Sequence, residues 1–267
     1  MSDLWTNHFS FSQLHMAADC PYSYFLLKIN GIEPEDNPFS QAGSLAHRLL
    51  AAWARGEVSL QDLSLLWKEQ YRRVVTDPFP PYLEKNNYSQ KLFQQFLSFF
   101  EQFTGYPEHE ILGSEREFVS SLAGEKFVGV IDLILRHKTT GDLMIVDYKS
   151  CSLSSFRKMK DDMYRQLILY SKHCADSYGQ FPSVLSFNLI KEGLIDQRPY
   201  KPADYLEVKN WAEEEIEKIK NRDVTDWMQV NPDFFKCCNL CSARGECKFG
   251  RPENHAKSTK RVRTVAA

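Results

Sequence analysis

Two aspartates stand where apolar residues are expected. Asp132 interrupts "GVIDLIL" and Asp147 falls near the end of "MIVDYKS", two runs whose β-branched and apolar composition predicts strands of a core sheet. A carboxylate in such a strand requires a partner, a proton or a metal ion. Side chains alternate along a strand, so Asp147 and Lys149 share a face. If the two strands are neighbours, both acids converge on one divalent cation with the lysine beside it. That set suits phosphodiester hydrolysis: the ion polarises the phosphate and lowers the pKa of a bound water, and the lysine orients the nucleophile or offsets developing charge. For the bare tripeptide, a plain ion pair between Asp147 and Lys149, with Asp132 as a lone polar core residue, is the commoner arrangement, and the residues that accompany it decide between the two.

Two pairs at helical i, i+4 spacing accompany the acids. Gly43 and His47 in "GSLAH" fall on one helical face, where the glycine allows close approach, and Gln166 and Tyr170 in "QLILY" do the same later in the chain. Each pair alone fits an ordinary helix face.

The elements that must position these residues fall into a pattern. Residues 1 to about 110 read as helical. A first helix capped by Ser10 or Ser12 runs through Met16, a second begins at Pro21, and a third, "GSLAHRLLAAWARG", is closed by Gly56. "EPEDNPFSQ" and "DPFPPYLEKNN" read as breaks, with the aromatic-rich helix "QKLFQQFLSFFEQF" after the second. From Glu115 the period becomes extended, with paired strands joined at Ala123 and Gly124 and a third strand after "KTTGD". A helix over about 160–177, with Met163, Leu167, Tyr170 and Cys174 on one stripe, then a strand in "PSVLSFNLIKEG" and a helix over about 203–221 complete an α/β (α+β) core. The expected organisation is an N-terminal helical region (1–110), a core with a central mixed sheet (111–222) and a C-terminal cysteine-rich lobe with a basic tail (223–267), integrated as one unit.

Four of the seven cysteines, Cys237, Cys238, Cys241 and Cys247, lie in "CCNLCSARGEC". The N-terminus lacks the basic and apolar regions of a signal peptide, and no apolar run is long enough to span a membrane. The expected localisation is therefore cytoplasmic, where clustered cysteines favour metal ligation over disulfides. Cys238-x2-Cys241-x5-Cys247 supplies three thiolates at ligand spacing, and Cys20, held by the following proline, is a candidate fourth. The spacing alone also fits a structural zinc site. The formal charge of −2 advertises no global positive field, although a neutral total can contain a basic groove.

Taken in order, Gly43-x3-His47, Gly129-Val-Ile-Asp132, Asp147-Tyr-Lys149 and Gln166-x3-Tyr170 resemble the motifs of the RecB-like branch of the PD-(D/E)xK nuclease superfamily, over about residues 10–250. Ile131 replaces the proline of the superfamily's name. The resemblance implies a restriction-endonuclease-like core, with His47, Asp132, Asp147 and the Tyr148 carbonyl as ligands of Mg2+ or Mn2+. It implies Lys149 as the catalytic lysine, and Gln166 and Tyr170 as DNA-contacting or site-supporting groups. Glu115 and Glu117 are alternative sources of a further carboxylate. AddB-type and CRISPR-associated RecB-like nucleases carry one cysteine before these motifs and three after them, so the resemblance also implies a 4Fe-4S cluster on Cys20, Cys238, Cys241 and Cys247. Cys237 is then spare, and Cys151 and Cys174 are core thiols.

The expected function is that of a metal-dependent DNA exonuclease acting on single-stranded ends, the alternative being a non-catalytic DNA-binding or assembly subunit with the same fold. The chain carries no helicase motif, so unwinding falls to a partner, in the family a helicase or a CRISPR integration or recombination protein. Arg157, Lys158 and Lys160, just after Lys149, are the first candidates for phosphate contacts, with Lys257, Lys260, Arg261 and Arg263 in the tail as others. Tyr22, Tyr24, Phe25 and Phe39 are candidates for base stacking or for core.

Overall fold

The structure, a computed structural model, describes residues 8–230 and 233–250. Its elements are β1 (Phe9–Ser10), α1 (Phe11–Asp19), α2 (Pro21–Tyr24) continuing into a π-helical turn (Phe25–Ile29), α3 (Pro38–Ala54), α4 (Leu60–Val74), α5 (Pro81–Glu84), α6 (Tyr88–Gln102), β2 (His109–Leu122), β3 (Glu125–His137), β4 (Leu143–Lys149), α7 (Leu153–Tyr178), β5 (Val184–Leu189), β6 (Leu194–Pro199), α8 (Pro202–Asn221), α9 (Val224–Trp227) and α10 (Phe234–Asn239). The fold is mixed α/β, a central mixed sheet flanked by helices, in keeping with a restriction-endonuclease-like core. Among the described residues, no helix is long and apolar enough to cross a membrane.

β3 is the spine of the sheet. β2 pairs with it antiparallel along one edge, through a turn in which Ala123 and Gly124 both take positive φ, the geometry that matches strand twist. Its other edge is divided: β1 runs parallel to it at Phe127 and Val128, and β4 runs antiparallel to it from Leu133 to Arg136. The stretch between, Gly129 to Asp132, is where the two neighbours separate, and Asp132 lies at the fork. β5 adds parallel to β4, and β6 antiparallel to β5.

Alternation along the strands sends side chains to two apolar layers. Ile134, Ile145 and Phe187 join Leu14, Leu167 and Trp227 on one face. Leu133, Leu135, Val146 and Tyr148 meet Leu45, Trp67 and Phe96 on the other. α3 and α7 therefore clasp the sheet from opposite sides, and each brings its i, i+4 pair to the fork.

Several boundaries differ from the sequence reading. Ser10 is the cap of α1, accepting from the Gln13 amide. α3 starts at Pro38, inside a predicted break, because Asn37 and Ser40 form a reciprocal capping box. α7 starts seven residues early at Leu153, capped by Ser152. Extended structure begins at His109, before Glu115. α4, β1 and β6 have no counterpart in the reading; β1 is two residues long, and β6 is a largely exposed edge strand without an apolar stripe.

Candidate active site

Asp132 is the hub. Its Oδ2 accepts the Tyr148 amide at 2.8 Å, which ties β3 to β4 at the fork, and lies 3.4 Å from His47 Nδ1 on α3. The β2 register pairs Ser114 with Leu133 and Arg116 with Ile131, so Glu115 stands across from Asp132. Glu115 has φ of 47°, a left-handed conformation that costs a non-glycine residue on the order of 1–3 kcal/mol and clusters at functional sites. Ligand atoms of His47, Glu115 and Asp132 all lie within 4.8 Å of one another. Of the two alternative glutamates, Glu115 is the one brought to the site; Glu117, paired with Val130, is not in this group.

Asp147 is buried behind this group. Its Oδ2 is 2.8 Å from Lys149 Nζ and pairs with it. It is thus outside the closest donor set, its charge engaged by Lys149 at the edge of the group, where a cation could reach both. Lys149 Nζ also donates to Gln166 Oε1 at 3.1 Å and lies over the Phe187 ring. Gln166 hydrogen-bonds Tyr170, so α7 holds the lysine through a relay.

Tyr170 is 4% exposed and sits against Gly129. A Cβ at Gly129 would lie 2.5 Å from the Phe118 ring and 2.8 Å from the Tyr170 ring, which explains the glycine three residues before Asp132. The burial gives Tyr170 a positioning part rather than contact with a strand. Gly129→Ala is expected to destabilise the fold by about 1–3 kcal/mol through overpacking. Thermal denaturation with the Phe118→Leu second-site variant checks it, since the added space should restore part of the loss.

The electrostatics show negative charge in excess. Burial pushes Asp147 up to about 6, against the pull of Lys149, and the Asp132 charge adds to the rise. Burial also raises Glu115, again reinforced by Asp132. Burial pulls His47 down, but the hydrogen bond and charge of Asp132, followed by Asp147 and Glu115, outweigh it and leave the imidazole raised. Three carboxylates in mutual repulsion with a histidine among them form a donor set that fits a divalent cation, and the imidazole nitrogen suits Mn2+.

The family model of the PD-(D/E)XK nuclease superfamily matches residues 8–248, which includes all these groups. The chain belongs to the PD-(D/E)XK nuclease superfamily. Among solved structures, it is similar to a candidate exonuclease from Eubacterium rectale, at 16% identity over 91% of this chain and 88% of that one, with a TM-score of 0.50. A protein called SSO0001 shares 16% identity over 64% of this chain and 80% of its own, with a TM-score of 0.33. At this identity the likeness to the first is one of fold alone. No curated protein matches the chain.

Beside this superfamily core lies the cysteine centre. Cys20 joins α1 to α2, and a cleft of about 840 Å3 is lined by Cys20, Cys237 and Cys241 with Ser23, whose Oγ is 3.5 Å from Cys241 Sγ. The Cys237 thiol hydrogen-bonds Cys247, which pulls Cys247 down to about 6 despite burial. Cys238 turns elsewhere: its Sγ faces the Phe249 carbonyl at 3.8 Å. The structure thus brings Cys20, Cys237, Cys241 and Cys247 together, while Cys238, the residue selected by spacing, is near Cys247 but does not line the cleft. The thiols are soft donors partly shielded from water, so the set fits a thiolate-binding metal or cluster, whose positive charge would offset the burial that holds Cys20 in its neutral form.

The other predicted contacts scatter. Arg157 and Lys158 are exposed on the first turns of α7, and Lys160 is engaged with Asp196 at 2.7 Å. Tyr24 stacks on Trp227, and Phe39 packs edge-on against Phe79 and Tyr88. Tyr22 is buried and Phe25 packs against the main apolar layer, so these four aromatics serve the core. The tail residues Lys257, Lys260, Arg261 and Arg263 lie outside the described residues.

Proposed function

We propose that the protein is a divalent-metal-dependent deoxyribonuclease, an exonuclease that hydrolyses phosphodiester bonds at single-stranded DNA ends. The observation that carries this reading is the convergence of His47, Glu115 and Asp132 within 4.8 Å, with the Asp147 and Lys149 pair behind them. Asp132 and Glu115, from two strands, and His47, from α3, would hold Mn2+ or Mg2+, with Asp147 and the Tyr148 carbonyl next in reach. When bound, the ion supplies a Lewis acid for the phosphate and a water of lowered pKa. Lys149 keeps its proton, because the Asp147 charge outweighs the effect of burial, and presents a fixed positive charge to the phosphate oxygens. Gln166 and Tyr170 fix the lysine's position, and Tyr148 fixes the orientation of Asp132 through its amide.

The test is a cleavage assay on end-labelled single- and double-stranded DNA in Mn2+, Mg2+ or EDTA. Mononucleotides or short products from single-stranded ends, faster in Mn2+ than in Mg2+ and absent in EDTA, are expected. Absence of cleavage in both metals contradicts the reading, and internal products replace the exonuclease with an endonuclease.

The cysteine centre is proposed to hold a 4Fe-4S cluster, whose part is to tie the C-terminal segment to α1 and α2. Hydrolysis requires no electrons, so the cluster is structural in this account. Cys20, Cys241 and Cys247 supply three thiolates. Spacing assigns Cys238 as the fourth, and the cleft offers Cys237. Iron content of Cys237→Ser and Cys238→Ser, purified without oxygen, identifies the ligand as the one whose loss empties the site; zinc in place of iron in the wild type replaces the cluster with a zinc site. DNA unwinding is assigned to a helicase or recombination partner, since the site itself addresses only phosphodiester bonds.

A further inference from the structure

α3 does more than deliver His47. A groove of about 660 Å3 runs along it, lined by Ser44, His47, Arg48, Arg55, Glu115 and Ser150 among others, and so opens directly onto the candidate metal ligands. Ser44 and Arg48 are four residues apart and share a helix face; Arg55 continues that stripe about 10 Å further along the axis. Arg48 neighbours His47 in sequence, one helical step of about 100° around the axis, which places its cation beside the donor set and not within it.

The two arginines differ in their commitments. Arg55 is fastened to Glu57 through Nε and Nη2 at 2.6 and 2.9 Å. Arg48 is exposed and has no carboxylate partner among the described residues. Lys149, the other cation at the site, is held by Asp147. A free guanidinium therefore stands at the lip of a groove that is otherwise acidic at its inner end. The helix bearing it is closely seated, because a Cβ at Gly43 would come within 2.8 Å of Ser150 Oγ, just past the end of β4. That contact fixes the distance between Arg48 and the Asp147 and Lys149 pair.

We propose that Arg48, with the Ser44 hydroxyl, binds the phosphate of the nucleotide adjoining the scissile bond and so sets the path of the strand into the site along α3. The proposal rests on the nuclease reading above. A guanidinium fork suits the two non-bridging oxygens of a phosphodiester better than an ammonium does, and a hydroxyl one turn away offers a second donor to the same group. The groove, and not the first turns of α7, is then the main phosphate track.

The experiment is fluorescence anisotropy of a labelled single-stranded oligonucleotide in Ca2+, over a series of salt concentrations, for the wild type, Arg48→Ala and Arg48→Lys. Arg48→Ala is expected to weaken binding by about tenfold and to reduce the slope of log K against log salt by about 0.7, the signature of one lost phosphate contact on a single strand. Arg48→Lys should keep the slope. Calorimetric affinity for Mn2+ should be unchanged in Arg48→Ala, which separates a strand contact from damage to the ligand set. An unaltered salt slope in Arg48→Ala overturns the assignment. If Arg48→Ala loses Mn2+ affinity as well, Arg48→Met, which keeps the stem without the charge, reads the slope, and an unaltered slope there overturns it too. A wild type that binds no DNA under these conditions is a failure of the nuclease reading itself and removes the proposal with it.

Discussion

Asp132→Asn is expected to lower the single-turnover rate of strand cleavage by about 10^3-fold or more, equivalent to ~4 kcal/mol of transition-state stabilisation, while leaving the fold intact. The expectation follows from the number of jobs done by one carboxylate. Asp132 Oδ2 accepts the Tyr148 amide and approaches His47, and the residue faces Glu115 across the strand pair. The amide of asparagine retains an acceptor for the Tyr148 amide, so β3 and β4 stay joined. It removes the negative charge that a divalent ion requires, and it can offer its NH2 group to the site in place of an oxygen. Glu115→Gln should cost less, about 10–100-fold, because its charge is the more exposed of the two and its strand position is strained in the native state as well as in the variant. The same kinetics at saturating Mn2+ check both. If Asp132→Asn cleaves within threefold of the wild type, the hub assigned to Asp132 is wrong.

The second large effect is on stability. Cys20→Ser is expected to lose the iron and its visible absorbance, and to lower the melting temperature by roughly 10 °C, from a loss on the order of 3–5 kcal/mol for opening the long loop between the two ends of the chain. The protein would not release its C-terminal segment altogether. The Glu35 amide donates to the Ser242 carbonyl at 2.8 Å, Asn37 Nδ2 donates to the Leu240 carbonyl at 3.1 Å, and Lys236 pairs with Asp19 at 2.9 Å. These contacts hold the docked geometry, so the variant should remain folded at 20 °C with a lower midpoint. Cys151→Ser is the control: this thiol is not among the groups lining the cysteine cleft, and its loss should leave the iron in place. Calorimetry and iron analysis of the two variants measure the difference, and full iron retention in Cys20→Ser contradicts the staple.

The parts of this protein that were legible in the sequence are those with strong local signals. β3 and β4 are apolar runs each broken by one acid, and the acids emerge at the fork because burial makes a charge conspicuous. The Ala123 and Gly124 turn and the α3 and α7 faces could be read for the same reason: turn chemistry and helical periodicity are local. Glu115 could be named only as one of two glutamates, since the choice depends on a strand register and a positive φ that no short-range pattern encodes. Gly43 marks a place of close approach in the sequence, but that the approach is to Ser150, just past the end of β4, was out of reach. β6 escaped because an exposed edge strand has no apolar stripe, and β1 because two residues have no period. The cysteines show the limit most clearly. Spacing picks Cys238, but the orientation of a short helix decides which of two adjacent thiols faces the cleft, and one residue of helix rotation is about 100°.

Mn2+ titration by isothermal calorimetry, on the wild type and on Asp132→Ala, tests the central claim, that His47, Glu115 and Asp132 with Asp147 behind them form a divalent-metal site for hydrolysis. Saturable binding of Mn2+ to the wild type, tighter than that of Mg2+, is expected, with its loss or a weakening of 100-fold or more, about 3 kcal/mol, in Asp132→Ala. Equal Mn2+ affinity in the two proteins, or none in the wild type, would contradict it and leave a DNA-binding subunit with a nuclease fold as the better description.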